Sequence, residues 1–84
     1  MAVMLSRPEP GFATELTLTV NISDRGARVV TKSPWPVNDT LVIKSLEGDL
    51  QSEAIVMYRQ PISENDYAIG LRFIAATGNW RATP

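Results

Sequence analysis

The sequence has no cysteine and no histidine among its 84 residues. Their absence removes disulfides, thiolate nucleophiles, zinc fingers and imidazole general bases, so most hydrolase chemistry and nearly all transition-metal sites are excluded by residue type. A chain of this length supports one compact domain and is too short for two. We therefore expect a single domain over residues 1–84 that is not an enzyme and carries no resident cofactor.

An excess of charge of one sign is also lacking. Eight Lys and Arg residues against nine Asp and Glu residues give a formal net charge of −1, which argues against a domain that binds DNA or RNA through a broad basic face. The longest wholly apolar run, residues 54–58, is far shorter than the ~20 residues that span a bilayer. We expect a cytoplasmic domain with neither a nucleic-acid partner nor a membrane association.

Alternation of apolar and polar residues is the dominant pattern. Residues 15–22 alternate strictly, and this period of two predicts a strand that is half-buried through its apolar face. The apolar side chains of this segment are Leu16, Leu18, Val20 and Ile22. A strand pattern resumes at residues 27–32 after the turn at 23–26, and residues 40–46 and 67–74 have similar strand composition.

One segment fits two structures. Residues 50–58 fit a helical stripe with Asp49 as N-cap, and they also fit one face of a strand. We favour the strand because the segment is rich in β-forming residues. The tail, residues 74–84, is expected to be irregular. Short strands without a long amphipathic helix predict an antiparallel sheet that closes into a small β-barrel to bury its apolar face.

Residues 19–29 resemble a known family signature. They read Thr-Val-Asn-Ile-Ser-Asp-Arg-Gly-Ala-Arg-Val, which is similar to the (Asp/Asn)-x-Ser-x-x-Gly signature of PilZ domains, bacterial receptors for the second messenger cyclic di-GMP. Segments resembling the family's later strands follow at residues 54–59 and 67–73, so order and spacing agree over roughly residues 14–75. The resemblance implies a six-stranded antiparallel barrel, in which residues 50–58 form a strand.

The resemblance also implies a ligand site at the signature turn. Asn21 and Ser23 would hydrogen-bond a guanine edge, and Gly26 would let the backbone and the ligand approach closely. Asn21 is the uncharged alternative to Asp at this position, and its amide oxygen can still accept from guanine N–H groups. Because Asn, Ser and Gly are common in any turn that ends a strand, a purely structural turn stays open as the alternative.

Three basic residues, one tryptophan and one glycine are further candidates for functional or structural roles. Arg25, Arg28 and Lys32 cluster around the turn in the sequence, either as a phosphate-facing patch or as the solvent side of a strand. Of these, Arg28 is the ligand-binding residue that we expect. Trp35, between two prolines, either anchors a ligand or partner or, as we favour, caps the barrel end. Gly70, inside a strong strand, indicates a bulge or a close backbone approach.

The other half of the family's site, an Arg-x-x-x-Arg motif before the first strand, does not occur in the sequence. Residues 2–6 resemble the family's first strand and residues 8–11 the hairpin after it, so the motif would have to precede Met1. The chain is then either a fragment or a family member that keeps the barrel without the nucleotide. We expect a PilZ-type signalling module that binds cyclic di-GMP through an incomplete site. The alternative is a PilZ-like adaptor that binds no nucleotide and acts through protein contacts.

Overall fold

Six β-strands make up the computed structural model, which describes residues 1–7, 14–47 and 51–77, with side chains up to residue 74. The strands are β1 (Ala2–Ser6), β2 (Thr14–Ile22), β3 (Gly26–Thr31), β4 (Thr40–Ser45), β5 (Gln51–Pro61) and β6 (Tyr67–Thr77). No helix occurs in these ranges, so none of the described segments is a helix able to cross a membrane.

The strands close into a barrel in the order β1-β2-β3-β6-β5-β4, with β4 pairing back onto β1. Every neighbouring pair is antiparallel. The expected six-stranded antiparallel barrel is confirmed, and so is the strand over the ambiguous segment, which is β5 from Gln51 onward. Within this closed order, β2 pairs with β1 over residues 14–18 and with β3 at Thr19, Asn21 and Ile22.

The core is filled by alternate residues of five strands. The side chains with no solvent exposure include Val3, Leu5, Val29, Leu41, Ile43, Val56 and Ile69. Trp35, in the loop between β3 and β4, is 5% exposed and joins this cluster. The expectation that this tryptophan caps the barrel is confirmed by its burial at the end where that loop lies.

Strand β2 does not follow the expected orientation. Leu16, Leu18 and Val20 are 63%, 64% and 62% exposed, whereas Ile22 is partly buried against the core. The sequence correctly indicates that the first three share a face, but the prediction that this face is buried is wrong.

The register between β1 and β2 explains this orientation. Thr17 lies opposite Val3 and Glu15 lies opposite Leu5, and residues directly opposite in an antiparallel pair face the same side. Since Val3 and Leu5 fill the interior, the polar residues of β2 turn inward with them. A β-bulge at residues 19–21 then shifts the alternation, so that Ile22 returns to the core.

Strand β6 is longer than expected. The sequence predicts an irregular tail that includes residues 75–77, but these residues pair with residues 51–53 at the start of β5. This non-local pairing supports a strand where the local sequence does not predict one. The rest of the tail, residues 78–84 with Trp80, and the expected hairpin at residues 8–11 lie outside the described residues.

Candidate functional site

A cavity of about 410 Å³ opens on the outer face of the barrel, where β2, β3, β5 and β6 adjoin the turn between β2 and β3. Its lining includes all four residues expected at the ligand site, Asn21, Ser23, Gly26 and Arg28. Two further residues, Tyr58 and Gly70, come from the strands on the opposite side of the cavity. The structure therefore brings the signature turn together with parts of the chain some 30 to 50 residues away in sequence.

Four of these residues form a row across four neighbouring strands. Asn21 is paired with Arg28, and Gly70 is paired with both Arg28 and Tyr58. Paired residues of adjacent strands face the same side of the sheet. With strands about 4.8 Å apart, the row spans about 14 Å. An amide, a guanidinium, a position without a side chain and an aromatic ring thus stand side by side on one surface.

Tyr58 covers the position left empty by Gly70. A Cβ atom added to Gly70 would lie 2.0 Å from Cε2 of the Tyr58 ring, so the ring occupies the space above the glycine. A β-bulge between Val56 and Tyr58 leaves both Met57 and Tyr58 on the outside, 49% and 43% exposed. The close approach expected at Gly70 is present, and its neighbour is the side chain of Tyr58. An exposed aromatic face of this kind can stack on a nucleobase.

Ser23 is engaged in closing its own turn. Its backbone N–H donates to the Gly26 carbonyl at 2.9 Å, and its Oγ accepts from the Arg25 N–H at 3.2 Å. The hydroxyl also donates weakly to the Gly26 carbonyl, at 3.5 Å. These bonds give Ser23 the structural function that turn composition alone would predict. Any contact of Ser23 with a ligand would come in addition to that function.

Gly26 is required by the packing of β3 on β6. A Cβ atom added to Gly26 would lie 2.1 Å from the Leu71 carbonyl oxygen, and the backbone at Gly26 is not left-handed. The Phe73 N–H donates to the Arg25 carbonyl at 2.8 Å and holds the turn against β6. The expected close approach at Gly26 is therefore made by a backbone carbonyl of the protein itself.

The polar groups at the cavity are available for a ligand. Among the described residues, Arg25 and Arg28 have no ion-pair partner, and the Asn21 amide has no hydrogen-bond partner. Arg28 is exposed and stands beside Asn21. A guanidinium without a carboxylate partner is suited to phosphate, which it can bind through two parallel N–H groups.

Lys32 does not belong to this cluster. It lies four residues beyond Arg28 along the chain of β3, about 13 Å away at the rise of a strand. Its ammonium pairs with Asp66 at 3.3 Å, and 81% of its side chain is exposed. The hydrogen bond from Ser63 and then that from Lys32 lower the pKa of Asp66 below its usual value. Of the two alternatives for Lys32, the structure supports the solvent side of the strand over the patch around the turn.

Two other arginines lie at the end of the barrel that Trp35 closes. Arg7 pairs with Asp39 at 3.1 Å, and its guanidinium carbon lies 5.3 Å from the centroid of the Trp35 ring. Arg59 donates to the Pro34 carbonyl at 3.2 Å. Neither arginine lines the cavity at the signature turn.

Polar, cationic and aromatic side chains line the cavity. The described residues contain no group of three acidic side chains that could hold a metal ion. What the row offers is a hydrogen-bonding amide, one unpaired guanidinium group and an aromatic face. Comparisons of the chain with protein-family models, with curated proteins and with solved structures give no match in any of the three.

Proposed function

We propose that this domain is a non-enzymatic signalling module of the PilZ type, which binds cyclic di-GMP at the cavity beside the signature turn. The observation that carries the proposal is the row of Asn21, Arg28, Gly70 and Tyr58 across four strands. The sequence alone indicates the turn residues as candidates, whereas the Tyr58 ring lines the same cavity without any signal in the sequence. Their convergence on one cavity supports a ligand that is both planar and anionic.

Each group of the row suits one part of such a nucleotide. The Asn21 oxygen accepts from a guanine N–H group. Arg28 takes a phosphate through its guanidinium. Tyr58 offers its ring for stacking, since base–aromatic stacking is a general means of holding a nucleobase. The cavity volume of about 410 Å³ lies within the range of small-ligand sites, roughly 300–1,000 Å³.

The affinity of these 84 residues is expected to be low. The Arg-x-x-x-Arg motif that completes the family's site is not in the sequence. Each bidentate arginine contact to guanine is worth roughly 1–3 kcal/mol, so two missing contacts weaken binding about 30-fold to 10,000-fold. We expect a Kd for cyclic di-GMP in the tens of micromolar or weaker, an order-of-magnitude figure from the same contacts.

Titration calorimetry and NMR with cyclic di-GMP test the proposal. Arg28→Ala should weaken binding by about tenfold or more, since a charge-assisted hydrogen bond contributes about 1.5–3 kcal/mol. Lys32→Ala is the matched control, because Lys32 is a cation that follows directly after β3 but lies outside the cavity. It should leave the affinity unchanged. Cyclic di-AMP should bind more weakly, because adenine lacks the N1–H and 2-amino donors of guanine and carries its one amino group at a different position of the ring.

A second variant tests the orientation of the base. Asn21→Asp supplies two acceptor oxygens and a charge, so it should tighten binding by about fivefold if Asn21 faces the guanine edge. No amide shifts at the cavity even at millimolar nucleotide would refute the nucleotide proposal and favour the adaptor. A sub-micromolar Kd would refute the low-affinity reasoning and indicate that Arg25 and Arg28 substitute for the missing pair.

A further inference from the structure

The outer face of β3 and β6 carries a square of two arginines and two glycines. Gly26 pairs with Arg72, and Arg28 pairs with Gly70. Paired residues face the same side of the sheet, and so do residues two apart on one strand. The two arginines therefore stand at opposite corners of the square, and both are exposed. The two remaining corners carry no side chain.

The spacing of the square brings the two arginines within reach of one ligand. Arg72 follows two residues after Gly70 on β6, so it is the diagonal neighbour of Arg28. Diagonal neighbours in an antiparallel pair lie about 7–8 Å apart. The ring of Tyr58 covers the Gly70 corner from the β5 side. A base stacked on this ring would thus have an arginine on two of its sides.

Arg72 has no ion-pair partner among the described residues. Its neighbour on β5, Ile55, is apolar. Two acidic residues lie near it by position, Glu53 two residues before Ile55 and Asp24 in the turn before Gly26, but neither forms an ion pair with it. The structure therefore places a second unpaired guanidinium directly after Leu71, which lines the nucleotide cavity.

Two guanidinium groups beside one base suit a ligand with two phosphates beside that base. In a cyclic dinucleotide each nucleoside lies between two phosphodiesters, and each phosphodiester carries one negative charge. Arg28 takes one of them in the nucleotide site proposed above, which leaves the other without a cation. A guanidinium can bind such a group through two parallel N–H donors.

We propose that Arg72 binds the second phosphodiester of the cyclic dinucleotide, so that the site selects ligands with two phosphodiesters over ligands with one. This inference rests on the proposed nucleotide site and adds a specificity-determining residue to it. Arg72 lies outside the signature turn, more than 40 residues further along the chain, and only the pairing of β3 with β6 brings it there.

The test compares cyclic di-GMP with the linear dinucleoside monophosphate GpG, which carries the same two guanines but only one phosphodiester. NMR titration of the 84-residue chain measures both affinities. Arg72→Ala should weaken the binding of cyclic di-GMP about tenfold or more, since it removes a charge-assisted contact. It should change the binding of GpG by less than about twofold. Arg28→Ala should weaken the binding of both ligands.

Lys44→Ala is the matched control, because Lys44 is an exposed cation on β4 outside the cavity. It should leave both affinities unchanged. The Arg72 side chain is exposed, so Arg72→Ala should fold, and an unchanged melting temperature checks this.

Two results would overturn the assignment of Arg72 and leave the nucleotide site in place. The first is binding of cyclic di-GMP that Arg72→Ala does not weaken. The second is an equal loss of affinity for cyclic di-GMP and GpG in this variant. If the unsubstituted chain binds no cyclic di-GMP even at millimolar nucleotide, the proposed function fails, and this inference fails with it.

Discussion

Two glycines of the barrel, Gly26 and Gly70, test how the cost of an added methyl group depends on the atom that it meets. At both positions the added Cβ would lie about 2 Å from another atom, which is backbone in one case and side chain in the other. At Gly26 the added Cβ would lie 2.1 Å from the Leu71 carbonyl oxygen, which belongs to the backbone of β6. At Gly70 it would lie 2.0 Å from the Tyr58 ring, which is the end of a rotatable side chain. Gly26→Ala and Gly70→Ala are therefore the same chemical change in two different surroundings.

The expected cost of Gly26→Ala follows from the geometry. Ordinary contact begins near 3.4 Å, so the turn and β6 must separate by about 1.3 Å at this point. Forced overpacking costs about 1–3 kcal/mol. The bond from the Phe73 N–H to the Arg25 carbonyl, at 2.8 Å, lies beside the clash and would weaken, for about 1 kcal/mol more. We expect a total loss of about 2–4 kcal/mol in the free energy of unfolding.

Gly70→Ala is expected to cost less than about 1 kcal/mol, because Tyr58 can rotate into solvent without moving the backbone. A domain of this size has an unfolding free energy of only about 4–13 kcal/mol. At about 4–8 °C per kcal/mol, Gly26→Ala should lower Tm by about 8–32 °C. Urea denaturation followed by far-ultraviolet circular dichroism measures both variants. Equal losses for the two variants, or a loss under about 0.5 kcal/mol for Gly26→Ala, would refute the reasoning.

Three further predictions test the orientation of β2 and the charges around it. Leu18→Thr should change the unfolding free energy by less than about 0.5 kcal/mol, whereas Leu5→Ala should lower it by about 2–5 kcal/mol. Denaturant titration measures both variants, and a larger loss for Leu18→Thr than for Leu5→Ala would contradict the register of β1 with β2. Glu15→Gln keeps the shape but removes a charged acceptor of three donors, and should lower stability by about 1–3 kcal/mol in the same assay. Hydrogen bonds lower the pKa of Asp66 in the folded state. Ionised Asp66 therefore stabilises the fold at pH values above the usual carboxyl pKa, and this contribution is lost as the pH falls through the lowered pKa. Asp66→Asn should flatten the acid side of a plot of Tm against pH, and an unchanged slope would contradict that assignment.

The strands that alternate cleanly could be predicted from the sequence. Val29 on β3, Ile43 on β4 and Ile69 on β6 lie in apolar runs bounded by turn residues, and each is fully buried in the barrel. The turn between β2 and β3 could also be predicted from the sequence, since Asn, Ser and Gly at this spacing favour a turn that ends a strand. Local composition is sufficient here because the interactions concerned lie within a few residues along the chain.

The other half of the candidate site could not be predicted. Nothing near Tyr58 in the sequence indicates that its ring covers Gly70, because that contact depends on the pairing of β5 with β6 and on the bulge before Tyr58. Likewise, the sequence allows Lys32 either in a basic patch with Arg28 or on the solvent side of the strand, and its position beyond the end of β3, paired with Asp66, decides between them. Both outcomes depend on distances between strands, which the order of residues does not specify.

By itself, the sequence determined that β2 is a strand and that Leu16, Leu18 and Val20 share one of its faces. Only the tertiary structure decided that this face is turned to solvent. Alternation has a period of two and is the same whichever face points inward, so the choice depends on register with the neighbouring strand. Here β1 places Val3 and Leu5 inside opposite Thr17 and Glu15, and the hydrogen bonds of Glu15 to the β3–β4 loop hold that register.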